Sequence, residues 1–384
     1  MDFNFNPEQQ QLADALKRWI ARDYDFEKRR AIVDSESGVS EAAWSTLVEL
    51  GLTALPVPQA QGGFDGGAVD LFAVMQELGR GLVVEPYFAT VLGARFLALG
   101  GGHDAELERV ATGELKLACA LGERQSRHDL RDIATTATPD GAGWILDGEK
   151  KVVLHGFEAG MLVVSSRTGG AQRDEGGISL FLVPRDAPGL RIAGYRMLDG
   201  QRGADVVLDG VRVDAAQLVG AAGQGWAILE AAADYGAGLL CFEAVGAMDA
   251  LFAATLEYLK TRQQFGVPIG KFQALQHRMA DMYIHLEQAR SMALLAAVRL
   301  DGAGADAAEE RRKAVAAAKY RVGQAARFVG QQAVQLHGGM GVTDELPAAH
   351  YFKRLTTIEL TLGDSDHHLA RFIERPGFRA QEAA

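Results

Sequence analysis

Tyr258-Leu-Lys-Thr-Arg262-Gln-Gln-Phe265-Gly266-Val-Pro268-Ile-Gly270-Lys-Phe272-Gln273-Ala-Leu-Gln276 is the stretch from which the rest of the chain can be read. A long helix-forming segment arrives at it and is broken by Gly266, Pro268 and Gly270, and helical spacing resumes from Phe272 to Tyr283. Arg262 and Phe265 therefore flank a sharp helix-to-helix turn, with Gln273 just past it. An arginine, an aromatic ring and an amide in that order suit a phosphorylated, ring-bearing ligand: guanidinium to phosphate, ring face to heterocycle, amide to polar edges. A plain helical hairpin with a solvated arginine fits the same spacing, and spacing does not choose between them.

Outward from this turn the chain divides by composition. At 384 residues it exceeds one compact core, so two or three domains are expected. Asn6-Pro7-Glu8-Gln9 reads as a helix start, with Asn6 as cap, Pro7 in the first turn and Gln9 placed for a capping box. Ser40 opens a second helix that Gly51 closes, Val69 to Leu78 and Tyr87 to Leu99 continue the helical pattern, and this first region, 1–114, reads as a helical bundle. From 115 to 222 short β-branched runs alternate with Asp147-Gly148, Asp199-Gly200, Asp209-Gly210 and similar turns, the pattern of a sandwich or barrel. Gly223-Gln-Gly-Trp226 opens a third region, 223–384, rich in Ala, Leu and Met and read as a four-helix bundle with an interhelical loop at Asp301-Gly-Ala-Gly-Ala-Asp306.

The apolar fraction of 48% is that of a globular chain, and a net charge of -11 argues against nucleic acid as a partner. Cys119 and Cys241 are the only cysteines, too few for a disulfide framework, which points to a reducing compartment. The first residues lack the regions of a signal peptide. No run reads as long enough to span a bilayer, so no membrane partner and a cytoplasmic location are expected.

A second block, Gln335-Leu-His-Gly338-Gly339-Met-Gly-Val-Thr-Asp-Glu-Leu-Pro347, lies downstream. With the first it resembles the flavin-binding signature of the acyl-CoA dehydrogenase family, and the likeness runs through essentially the whole chain. The resemblance implies an α+β fold of helical, β and helical regions, FAD as cofactor and an acyl-CoA substrate. Members remove the acyl α-proton with a glutamate and pass the β-hydride to flavin N5, and the implied electron acceptor is an electron-transfer flavoprotein. It implies that Arg262, Phe265, Gln273, Gln335, Gly338 and Gly339 contact FAD across a subunit interface, the glycines by letting backbone approach the adenosine-pyrophosphate. Gly338-Gly339 also reads as a helix C-cap.

Other family positions are changed. Counting without gaps from Gly339 and Pro347 brings the usual catalytic glutamate to Leu362, in Glu359-Leu-Thr-Leu-Gly-Asp364-Ser-Asp366-His-His368, and the alternative base position on the earlier helix falls near Gly236. Neither can accept a proton. Glu243, Asp364 and Asp366 are the nearby carboxylates to consider. The family's Thr-Glu-Pro-Gly-x-Gly-Ser-Asp corresponds to Gly122-Glu-Arg-Gln-Ser-Arg-His-Asp129, and its Trp-Ile-Thr-Asn-Gly to Val152-Val-Leu-His-Gly156, so a flavin-stacking tryptophan becomes Val152 and a flavin-bonding threonine becomes Leu154. His367-His368 beside two aspartates reads as a helix start, not a metal site.

The half of the FAD site given to a neighbour is thus intact while the half used in place is altered. The chain resembles the small or non-basic subunit of heteromeric acyl-CoA dehydrogenases, such as the pimeloyl-CoA dehydrogenase small subunit and steroid side-chain enzyme subunits, which implies a paralogous partner in a heterotetramer. A self-sufficient homo-oligomer with a relocated base and a non-catalytic acyl-CoA or flavin-binding module remain open beside it.

Overall fold

The structure is a computed structural model that describes residues 5–374; the outermost parts of the expected regions 1–114 and 223–384 lie outside the described residues. The chain opens with helices α1 (Pro7–Asp23), α2 (Phe26–Asp34), α3 (Glu41–Glu49), α4 (Ala68–Arg80), α5 (Tyr87–Gly100) and α6 (Asp104–Ala111). The start of α1 is the expected capping box: Asn6 Oδ1 accepts from the Gln9 amide at 2.8 Å and Gln9 Oε1 accepts from the Asn6 amide at 2.9 Å. Ser40 caps α3 through the Ala43 amide.

Eight strands follow: β1 (Leu117–Ala120), β2 (Thr136–Asp140), β3 (Gly143–Leu154), β4 (Met161–Arg167), β5 (Ile178–Pro184), β6 (Leu190–Arg196), β7 (Arg202–Asp214) and β8 (Leu218–Val219). They form one sheet in the order β6-β7-β3-β2-β4-β5-β8, with β1 parallel to β4. Alternate side chains of these strands close a single core that includes Ala118, Leu146, Val153, Phe181 and Val206.

The long helices come last: α7 (Trp226–Thr261), a two-stranded hairpin of β9 (Gln263–Gln264) and β10 (Val267–Pro268), then α8 (Gln273–Leu300), α9 (Ala307–His337), α10 (Pro347–Leu360) and the short α11 (Ser365–Ile373). The turn between α7 and α8 is thus a β-hairpin, and Asp301 to Asp306 is the loop between α8 and α9.

By compactness the chain forms two interleaved units, one of Met1–Arg30, Ala68–Val83 and Ala237–Ala384, the other of Ala31–Gly67 and Val84–Gly236. In the first, α4 crosses α7 at backbone contact. A Cβ on Gly246 would lie 1.7 Å from the Gln76 carbonyl oxygen, and one on Gly79 would lie 2.1 Å from the Glu243 carbonyl oxygen. The Phe72 and Phe242 rings meet beside the crossing, 4.8 Å between centroids. In the second, α5 packs on β1, where Gly93 faces Leu117.

One expectation needs correcting. α7 is long and apolar enough to cross a membrane by length and composition, with a mean hydropathy of 1.7 over an 18-residue window. However, 67% of that window is buried, so protein covers its apolar surface as in a core helix.

The glycine crossing predicts that Gly246→Ala costs roughly 2–3 kcal/mol, the range of overpacking in a closed interior, seen as a lower denaturant midpoint with an unchanged slope. An alanine variant as stable as the wild type would mean that α4 and α7 can separate freely.

Candidate functional site

The ends of the two sequence blocks meet in the unit that holds both. Tyr258, in the last turn of α7, stacks on His337, the last residue of α9, with 4.4 Å between centroids and its hydroxyl 3.4 Å from the His337 carbonyl. Arg278 on α8 donates to Gln332 on α9 at 2.6 Å. The C-termini of α7 and α9 and the N-terminus of α8 therefore share one end. Burial lowers the pKa of His337, whose Nδ1 is 2.8 Å from the Ala333 carbonyl.

All six residues of the two blocks lie at this end. Arg262 follows α7 directly, is exposed, and its carbonyl accepts from the Ile269 amide at 2.8 Å, closing the hairpin. Phe265 is at the hairpin tip with a positive φ of 54° and is 91% exposed, its ring at right angles to that of Phe272, 6.1 Å between centroids. An aromatic ring held that far out of a core contributes little to packing within its own chain. Gln273 is the first residue of α8, and Gln335 lies on the last turn of α9; both are exposed. Gly338 has φ 60° and ends α9 with its amide bonded to the Gln335 carbonyl, so the C-cap reading also holds. A Cβ on Gly338 or Gly339 would meet nothing within 4 Å. These glycines are therefore not required by close packing within the chain, which leaves room for a ligand to approach backbone. Beneath the hairpin is a cavity of about 450 Å³ lined in part by Leu256, Leu259, Lys260, Pro268 and Met279.

The stretch Gly122 to Asp129 lies in the other unit and is organised by a buried ion pair. Lys150 Nζ donates to Glu123 Oε1 at 2.7 Å and to Ser165 at 3.1 Å. Glu123 also accepts from the Ala134 and Thr135 amides and from Gln125. Burial alone would raise the pKa of Glu123, but the charge of Lys150 and these hydrogen bonds carry it below the ordinary value. Burial outweighs the pairing for Lys150, whose pKa is pushed down to about 8. Directly after Lys150 the register of β3 against β7 shifts, and Val152 bulges out with φ 54° and 54% exposure. Leu154 pairs with Gly203 in the strand. Val152 and Leu154, where the family resemblance implies a ring-stacking tryptophan and a hydroxyl donor, carry only methyl-ended side chains.

Leu362 lies between α10 and α11 with φ 55°, and its carbonyl accepts from His368 Nε2 at 2.9 Å. Each nearby carboxylate is accounted for by geometry. Glu243, 4% exposed, is gripped by Arg354 through two hydrogen bonds of 2.6 and 2.7 Å. Asp364 caps α11 through the His367 amide at 2.8 Å. Glu359 accepts from Arg327 and Ser365. Asp366 is exposed in the first turn of α11. The signal that sequence reading missed is Lys319, 1% exposed on α9, which donates to the carbonyls of Ile358, Glu359 and Gly363 at 2.9, 3.0 and 2.8 Å. A lysine directly after the apolar run Ala314 to Ala318 could have marked it. Its ammonium closes the C-terminus of α10, where carbonyls have no helical partner and the helix dipole is negative. Among the described residues no group of three or more His, Cys, Asp or Glu is placed to hold a metal ion.

Comparison with known proteins matches the chain to three family descriptions: acyl-CoA dehydrogenase N-terminal domain over residues 6–106, middle domain over 118–211 and C-terminal domain over 223–375. The mitochondrial short-chain specific acyl-CoA dehydrogenase of Bos taurus is 31% identical over 348 residues, 88% of this chain and 82% of that protein. Among solved structures, the FAD complex of PigA has a TM-score of 0.90 at 27% identity, covering 99% of this chain and 100% of that one. The ChsE4-ChsE5 complex from Mycobacterium tuberculosis has a TM-score of 0.86 at 26% identity, covering 97% of each chain.

The loop that carries Leu362 depends on Lys319, and this has a pH signature. Burial pushes the Lys319 pKa down to about 8 from an ordinary 10.5. Between those values the unfolded chain binds more protons than the folded one, so the stability this site contributes rises with pH from about 8 to about 10.5 and is flat below. Lys319→Met should cost roughly 3 kcal/mol near pH 7, from three carbonyls left without a donor, and the deficit should widen through the alkaline window. Denaturant midpoints at neutral pH and near pH 10 check this, and a gap independent of pH would sink it.

Proposed function

Because the chain belongs to the acyl-CoA dehydrogenase family, a flavin-dependent family of oxidoreductases acting on acyl-CoA, we propose that it serves α,β-desaturation of an acyl-CoA thioester as the subunit that completes the FAD site of a paralogous catalytic partner. FAD, when bound, would supply the acceptor for the two electrons. Arg262, Phe265, Gln273, Gln335, Gly338 and Gly339 would hold it from this chain's side: the guanidinium against phosphate, the ring against the flavin system, the amides on polar edges, and the glycine backbone close to the pyrophosphate.

The observation that carries this reading is the contrast between the two half-sites. One presents an exposed ring, a cation, two amides and uncrowded glycines at a single end of three helices. The other has Val152 and Leu154 where ring-stacking and hydrogen-bonding side chains belong, and Leu362 where a base belongs. The likeness to the ChsE4-ChsE5 complex, an assembly of two named chains, supports a heteromeric arrangement, doubled to a heterotetramer. An electron-transfer flavoprotein as acceptor, a cytoplasmic location and a division into regions 1–114, 115–222 and 223–384 belong to the same proposal; the bounds of the three family matches support the last.

A self-sufficient homo-oligomer needs another base. Glu243 is held by Arg354 and Asp364 by its capping bond, which leaves Asp366 as the exposed carboxylate beside Leu362. That reading is weaker, because a relocated base would still face an altered flavin side.

The test is visible absorbance of the purified chain, alone and co-expressed with a paralogue encoded beside it. Alone it should hold no tightly bound flavin; the complex should hold about one FAD for every two chains. Phe265→Ala should weaken FAD retention in the complex roughly 10-fold, as for a stacked aromatic at an interface. Full occupancy and turnover in the lone chain would overturn the split site and move the search for a base to Asp366.

A further inference from the structure

A cavity of about 590 Å³ lies between α8, α9 and α11. Met292 of α8, Ala317 of α9 and Leu369 and Phe372 of α11 form its apolar wall, and each is only half-buried. Leu369 and Phe372 are three residues apart, so one face of α11 borders the space. Ala317 contributes a single methyl group and leaves the space between its neighbours unfilled. Apolar walls around such a volume are those of a small-molecule site, since packing defects in a folded interior are far smaller. Met292 lies roughly five helical turns, about 28 Å, along α8 from Gln273, so the cavity is separate from the flavin-block residues.

One cation in the wall has no counter-charge. Arg321 on α9 is half-buried, and among the described residues no carboxylate pairs with it. Its Nε donates to Gln288 Oε1 at 2.9 Å, and its two terminal nitrogens lie 3.3 and 3.2 Å from His285 Nδ1. Arginine only donates, so His285 accepts at Nδ1, and both partners are neutral. Burial and the Arg321 charge lower the pKa of His285 against an opposing pull from Asp281, and its ring is stacked on Phe328 at 4.1 Å between centroids. Burial lowers the pKa of Arg321 itself, the behaviour of a cation drawn from water without an anion. The adjacent Tyr320 hydroxyl accepts from Gln324 at 2.8 Å and keeps its own hydrogen to give. Glu287 also lines the cavity but is engaged by Arg290 at 3.4 Å. A fixed guanidinium and a hydroxyl above apolar walls are the complement of an anion with a hydrocarbon body.

We propose that the cavity between α8, α9 and α11 binds a free apolar monocarboxylate, its carboxylate on Arg321 and Tyr320 and its hydrocarbon body against Met292, Ala317, Leu369 and Phe372. One cation with one hydroxyl suits a singly charged carboxylate better than a doubly charged phosphate. Binding of such an acid needs neither flavin nor a thioester, so it stands apart from the function proposed above. α11 begins beside the Leu362 loop, and an acid that binds only the folded chain stabilises the helix into which that loop leads.

Calorimetric titration of the full chain with decanoate, decanol and acetate, with sedimentation of the same samples, tests this. Decanoate should bind at one site per chain, roughly 10- to 100-fold tighter than decanol, the range for hydrogen bonds to a charged group. Acetate, which lacks the apolar body, should bind at least about 100-fold more weakly than decanoate. Arg321→Gln should bring decanoate to the affinity of decanol, and Arg321→Lys, which keeps the charge without the fork, should retain part of the preference. Ala317→Leu occupies the space and should weaken decanoate and decanol together, which keeps the test readable if the glutamine variant does not fold. Equal affinity for decanoate and decanol, a preference that survives Arg321→Gln, or acetate binding as tight as decanoate overturns the proposal. Absence of decanoate binding overturns it too, and a sedimentation coefficient then altered by Ala317→Leu would make the cavity a contact between chains instead.

Discussion

A helix of 36 residues with no polar face has to be covered, and α7 imposes that requirement on the fold. Ala, Leu, Met and Phe occupy its length, and Phe242, Ala244, Val245, Ala247, Met248 and Leu251 are all fully buried. Close cover is obtained where glycine replaces side chain on both partners of the α4 crossing, so that backbone meets backbone. Glu243, a carboxylate buried at the crossing, is tolerated because Arg354 of α10 grips it with both prongs. Such a pair adds little net stability over apolar packing, but losing one partner is costly, so it holds α10 in a defined place against α7.

From that arrangement the two candidate half-sites acquire their different characters. At the end of α7, α8 and α9 the chain leaves aromatic, cationic and amide groups unspent on its own packing, and the Tyr258–His337 stack keeps the two contributing blocks together. In the sheet-bearing unit and in the loop after α10, polar groups are consumed internally: Glu123 by Lys150, Asp364 by the His367 amide of α11, the Leu362 carbonyl by His368. A carboxylate already saturated with donors is a poor proton acceptor, because hydrogen bonds to its charged form stabilise that form. Of the carboxylates near Leu362, Asp364 and Glu359 are engaged in this way, while Asp366 stands exposed.

Features set by neighbouring residues were legible in the sequence. Asn6-Pro7-Glu8-Gln9, Ser40, the Asp301–Asp306 loop and the glycine- and proline-broken turn after Thr261 follow from local chemistry, and they sit where that chemistry puts them. The order of helical, β and helical regions followed from periodicity. What could not be read joins residues far apart in the chain: Gly246 against Gln76, Lys150 on Glu123, Lys319 on the end of α10. Periodicity carries no record of which helix face meets which. The same limit explains α7: an alanine-rich helix and a bilayer span differ in what surrounds them more than in composition. It also hides the interleaving of the two compact units, since α4 leaves its sequence neighbours to join the C-terminal helices.

Lys150 and Lys319 carry one further consequence. An amine whose pKa has been brought to about 8 is largely unprotonated at mildly alkaline pH, and an unprotonated amine attacks thioesters to form an amide. In a family that handles acyl-CoA, these two would be the side chains most open to self-acylation if basicity alone decided. Burial that lowers their pKa also denies a thioester any approach: Lys150 is 0% exposed, and each ammonium is enclosed by the oxygens it serves. Folding therefore acts here as a chemical protecting group: it shields each amine while lowering its proton affinity, and unfolding that exposes the nitrogen also returns it to the ordinary pKa of 10.5, where it is protonated at the same pH.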